Sequence, residues 1–178
     1  MSSLPLHPAV VHLPLGLAFI IPALAIGFTW ALWTGRVRVR AWTVIVALQA
    51  VLLAGALVAM NTGGREEDLV EARVPETALE RHEAYAEQFV WATGITLALA
   101  GLVLAFRQPT VIRSLALATV AGTLVGGASA IRVGHAGGQL VYVHNAGAAY
   151  AVTADRTHSA DKPAARRGDP IVPAEEER

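Results

Sequence analysis

The chain contains no cysteine, only two methionines, and few aromatic residues. Without thiols there are no disulfides, no thiolate zinc sites, no iron–sulfur clusters and no covalently attached haem. Any metal or cofactor must be held by imidazole, carboxylate or backbone groups. Charge is scarce too: 16% of the 178 residues are charged, and 14 basic residues balance 14 acidic ones. That balance supplies no basic field of the kind that binds nucleic acid. What remains is apolar. Hydrophobic residues make up 54% of the chain and mean hydropathy is +0.47, against about 45–50% apolar and about 25% charged in an ordinary soluble domain.

The apolar residues are gathered into four stretches free of charge: Val10–Trp33, Trp42–Met60, Phe89–Phe106 and Leu115–Ile131. A spanning helix needs about 20 such residues. Backbone in hydrocarbon must bond to itself, so each stretch is read as a helix. The expected fold is an all-α, integral membrane four-helix bundle over residues 1–153. Its helices are expected at about 9–33, 42–61, 76–106 and 112–134, with the lipid bilayer as partner. The first stretch is not read as a cleaved signal, because MSSLPLH lacks a positive leader and the apolar run is too long. Residues 154–178, rich in Pro, Ala, Arg and Glu, read as a disordered tail that leaves His158 in solvent.

The links give orientation. Arg36, Arg38 and Arg40 lie in the first link and Arg107 and Arg113 in the third, with no acid in either. The middle link, from Thr62 to about Arg81, carries Glu66, Glu67, Asp68, Glu71, Glu76 and Glu80 and reads as a solvated acidic loop. Short basic links stay cytoplasmic, so both termini and the acidic link are expected outside. The fourth helix is suited to close contact, with Gly122 and Gly126 in a GxxxG step among small residues. A homo-oligomer or a partner subunit could use that face. Pro14 and Pro22 should bend the first helix, and Pro75 suits the start of the third.

Five of the six histidines fall at one membrane face. His7 and His12 open the first helix, His82 starts the third, His135 closes the fourth and His144 follows it. Any one of them is adequately explained as a hydrogen-bonded helix-end residue, and Pro8 makes a capping role sufficient for His7. As a set they point to ligation. Neutral imidazole is the commonest ligand for iron, copper and zinc, and bundles build cofactor sites from facing helices. Haem b needs two imidazoles from different helices, an apolar slot and a cation near its propionates. His12, His82, His135 and His144 supply the imidazoles, and Arg132 the cation. Gly134, Gly137 and Gly138 are expected to break the fourth helix after His135 and fold Leu140–His144 back over the bundle. There Tyr142 and Tyr85 are candidate hydrogen-bond partners. A copper, zinc or iron ion would use the same histidines, His7 included, with Glu83 or Glu87 assisting.

The motifs HPAVVHLPLGL, TGG after the second apolar stretch, a single histidine before the third, and GHAGGQLVYVHNAG resemble the bacterial family known as domain of unknown function 2231. The resemblance spans about Leu6 to Gly147. Where that pattern has an aromatic after the second histidine and a glycine after the last, this chain has Leu13 and Asn145. The resemblance implies a location in the bacterial inner membrane. It also implies haem or metal ligation at His7, His12, His82, His135 and His144, without naming a reaction. The leading expectation is haem b binding with electron transfer to a redox protein at the outer face, rather than a stand-alone enzyme. The alternatives are a non-haem metal protein and an accessory subunit without cofactor. The topology has a direct check: reporter fusions after Arg38 and after Arg113 should read as cytoplasmic and one after Asp68 as external, and the reverse pattern would invert the assignment.

Overall fold

The computed structural model describes residues 6–149; the tail assigned to 154–178 and His158 lie outside the described residues. Among the described residues the regular structure is helical: α1 Leu6–Val10, α2 His12–Trp33, a 3₁₀ turn Val39–Trp42, α3 Thr43–Glu71, α4 Glu76–Ala105 and α5 Pro109–Tyr142. With α1 and α2 counted as one rod, four segments are long and apolar enough to cross a membrane. The chain is an integral membrane four-helix bundle. Neighbours in sequence pack side by side and α5 closes back on α2, so the helices run up, down, up and down.

Proline sets two boundaries. Pro14 has no N–H to give the carbonyl one turn earlier and crowds it; the helix is interrupted at Val11, which separates α1 from α2. Pro109 takes the first position of α5, where a missing N–H costs nothing. Pro22 is absorbed within α2.

The interior is stacked in three layers. Near the basic end Ala25, Trp42, Ile45, Val103, Ile112 and Ala116 pack together. The middle holds Ala18, Ile21, Leu52, Ala56, Phe89 and Ala130. At the acidic end Val74, Ala78, Leu79, Leu140 and Ala146 form the third layer. Buried threonines satisfy themselves by bonding back to their own helices, as Thr93 Oγ1 does to the Phe89 carbonyl at 2.7 Å and Thr119 Oγ1 to Leu115 at 2.8 Å. Gln49 reaches across from α3 to the Thr93 carbonyl at 3.2 Å. Outside, Phe19, Ile26, Trp30, Val51, Leu57, Trp91, Ile95, Leu124 and Ile131 are exposed. Such a belt is untenable in water and suits lipid.

Two expectations are corrected. The second long helix does not end near 61: α3 continues to Glu71, so the acidic loop becomes nearly three further turns of helix and a short link to Glu76. Nor do Gly134, Gly137 and Gly138 break the fourth helix, because α5 runs on to Tyr142. Glycine costs a helix about 1 kcal/mol per residue, but here Ala136 and Leu140 are buried and hold the extra turns in place. The turn comes later, at Asn145, whose φ is +55°. Asparagine is the residue other than glycine that most readily adopts this left-handed conformation.

The tightest helix contact is testable. A Cβ on Gly122 would lie 2.5 Å from Thr96 Oγ1, whereas one on Gly126 would meet nothing within 4 Å. Gly122→Ala should therefore destabilise the bundle by about 1–3 kcal/mol, read as a lower midpoint of thermal unfolding in detergent. Gly126→Ala should leave that midpoint unchanged or raise it.

Candidate functional site

The site is built at the acidic end, where two histidines from different halves of the chain meet. The rings of His7 and His82 are 6.3 Å apart between centres, with their planes at 86°. Among the described residues no other pair of histidine rings is in contact.

Each ring is docked in the same way. His7, on α1, donates from Nδ1 to the Ala59 carbonyl of α3 at 2.8 Å. One turn further along α3 stands Gly63, where a Cβ would come within 3.1 Å of the His7 ring. His82, on α4, lies against the Val133 carbonyl of α5. One turn further along α5 stands Gly137, where a Cβ would again come within 3.1 Å of the ring. A side chain at either glycine would fill the space the imidazole occupies. The two halves of the chain thus repeat one device: a histidine near the start of one helix lies on a helical carbonyl of the next, through a gap left by glycine. Because a carbonyl only accepts, His7 Nδ1 carries the proton and Nε2 keeps its lone pair. The His82 Nδ1 is buried without a hydrogen bond of good geometry. A buried polar atom left unpaired is costly and uncommon.

The α1 segment is fixed by a second contact. Glu66 Oε1 accepts from the backbone N–H of Leu6 at 2.8 Å and of His7 at 3.2 Å. A carboxylate thereby caps the orphan amides of the α1 N-terminus and complements its dipole. Glu66 thus belongs to the site and not to a solvated loop; nothing in its sequence context separates it from its acidic neighbours. Beside it Glu67 of α3 and Glu83 of α4 bring their carboxyls together.

The other candidates are not drawn in. His12 and His135 are exposed, as are Arg132, Glu83 and Glu87. His135 Nε2 pairs with Gln139 Nε2 at 3.2 Å, and Gln139 Oε1 accepts from Arg81 at 2.7 Å. His144 is half-buried just past the end of α5, and Tyr142 is 89% exposed. The expected convergence of His12, His82, His135 and His144 is therefore replaced by His82 with His7. The reason is geometric: α5 continues as helix, so His135 stays on its outward side and His144 is carried beyond the end. Among the described residues no group of three His, Asp or Glu side chains is placed to hold a metal ion.

Two cavities lie elsewhere: one of about 10 Å³ beside Gln49 and Thr123, and one of about 360 Å³ that opens at the basic end. No family model, no curated protein and no solved structure matches the chain.

The glycine gaps make a prediction of opposite signs. Alanine at Gly134 or Gly138, where a Cβ would meet nothing within 4 Å, should stabilise by up to about 1 kcal/mol through helix propensity. Alanine at Gly63 or Gly137 should lose that gain and destabilise, because the imidazole must be pushed off its carbonyl. Thermal unfolding of the four variants in one detergent checks it.

Proposed function

We propose that the protein binds haem b through His7 and His82 at the acidic end of the bundle and serves in electron transfer. The observation that carries this reading is the meeting of exactly two imidazoles from separate helix pairs, each resting on a backbone carbonyl. Ligating histidines characteristically give their other ring N–H to such a partner, which fixes the ring and raises its basicity. His7 does so at Ala59. The donor number favours haem over a bare ion. An ion held by protein needs three or four ligands, whereas the described residues offer no group of three and a porphyrin leaves only two axial positions to fill.

The two rings are 6.3 Å apart between centres, so His7 and His82 would be the residues that hold the group. With two imidazoles bound, a haem iron exchanges single electrons. The chain's own residues do the rest. Ala59 orients the His7 ring, the His82 ring lies against Val133, Glu66 holds α1 in place, and Arg132 would be available to the propionates. The acidic end is the outer one if the basic links are cytoplasmic, which puts the site where an external redox partner reaches it in a bacterial inner membrane.

The protein purified with haem supplied during expression should be coloured, with a Soret band that shifts on reduction. His7→Ala and His82→Ala should each lower haem content at least about tenfold or leave a five-coordinate spectrum, while His135→Ala and His158→Ala change neither. A colourless protein, or one in which His7→Ala/His82→Ala keeps its haem, overturns the proposal. Colourless protein carrying stoichiometric copper, zinc or iron that is lost on the same substitutions would assign the pair to an ion instead.

A further inference from the structure

The basic end of the bundle holds a feature that the histidine site does not use. Between the end of α2, the 3₁₀ turn and the start of α5 lies the cavity of about 360 Å³, within the roughly 300–1,000 Å³ usual for small-ligand sites. Its walls are of two kinds. Leu32, Trp33, Val37, Val39, Ile112 and Ala116 make it apolar, and the exposed Arg38, Arg107 and Arg113 also line it. These arginines come from two different links and from the first turns of α5, so the fold assembles them from separate parts of the chain. Among the described residues none of the three has an ion-pair or hydrogen-bond partner, and neither link contains an acid. The N-terminus of α5 opens at the same place. Pro109 lines the cavity and no side chain caps that helix end, so the free amides and the positive end of a long helix dipole add to the field.

We infer that this cavity binds the phosphate of an anionic phospholipid, with its acyl chains laid along the apolar wall. Unpaired guanidinium groups are matched to phosphate oxygens, which they engage with paired N–H donors. Basic pockets between membrane helices suit anionic lipid head groups. The apolar half of the lining distinguishes a lipid from a free anion, because a bare phosphate leaves that wall with nothing to cover it. The cavity sits at the end of apolar spans, at the level where head groups lie.

The test uses the full chain in detergent, examined by native mass spectrometry after exposure to equimolar phosphatidylglycerol and phosphatidylcholine. One phosphatidylglycerol should remain bound in preference to phosphatidylcholine. Arg38→Gln/Arg113→Gln, which removes two charges from the cavity, should lower its retention at least about tenfold. Arg36→Gln/Arg40→Gln removes the same charge from the same end outside the cavity, Arg36 being stacked over Trp30 at 4.0 Å; retention there should change less than about twofold. Equal losses in the two variants would mean diffuse surface attraction and overturn the site. Equal retention of the two lipids would overturn it as well. Inorganic phosphate at millimolar concentration should not displace the lipid; displacement would assign the cavity to a free anion and end the lipid proposal.

Discussion

Everything in this structure depends on one constraint: lipid offers a helix neither water to bond its backbone nor a hydrophobic force to press it against a neighbour. The first half of the constraint makes every spanning segment a helix. The second leaves close packing as the means of association, and close packing requires small residues. The α4–α5 contact shows how far this goes, since Gly122 leaves room only for Thr96 and no Cβ. Elsewhere Gly127 approaches the Ala18 carbonyl of α2, and Gly55 faces the ring of Pro14. Threonines enter these contacts without penalty because each hydroxyl is already bonded to its own helix.

The histidine site is the same solution applied to an imidazole. A ring brought down on a helix meets either a side chain or, where glycine removes it, the backbone itself. At Gly63 and Gly137 the backbone is reached, and what it presents is a carbonyl already engaged in the helix ladder but with a second lone pair to offer. This orients the His7 ring without any other side chain. The repeat of the device between the first and second helix pairs brings the two rings to one place near the bundle's end. One of them closes its bond at 2.8 Å; the other leaves Nδ1 buried and unpaired.

The two ends of the bundle are electrostatically opposite, and each end uses its charge differently. At the acidic end the carboxylates are drawn into the fold: Glu66 caps α1 and Glu67 adjoins Glu83. At the basic end the arginines are left open around a cavity. One carboxylate at the acidic end is bound by helix amides, whereas the arginines that line the basic-end cavity have no acid beside them.

The four spans were legible in the amino-acid order because uninterrupted apolar length is a one-dimensional property, as is the division of arginines from acids among the links. The small-residue face of α5 was legible for the same reason, since spacing along a helix is read from the chain alone. What the order of residues did not settle was the use of glycine. At Gly134, Gly137 and Gly138 local propensity argues for a break, and the burial of Ala136, with Leu140 packed against the start of α4, keeps the helix going. The fate of Glu66 was hidden likewise, because an acid that caps a distant helix looks like any solvated acid. Which histidines meet was the last thing decided. His7 has the least local reason to be a ligand, yet it finds His82 because α1 breaks at Val11 and lies on α3. The helix that carries His135 continues straight, and that ring stays outside. Contacts between residues far apart in the chain depend on how helices lean and where they stop, and those are properties of the packed bundle.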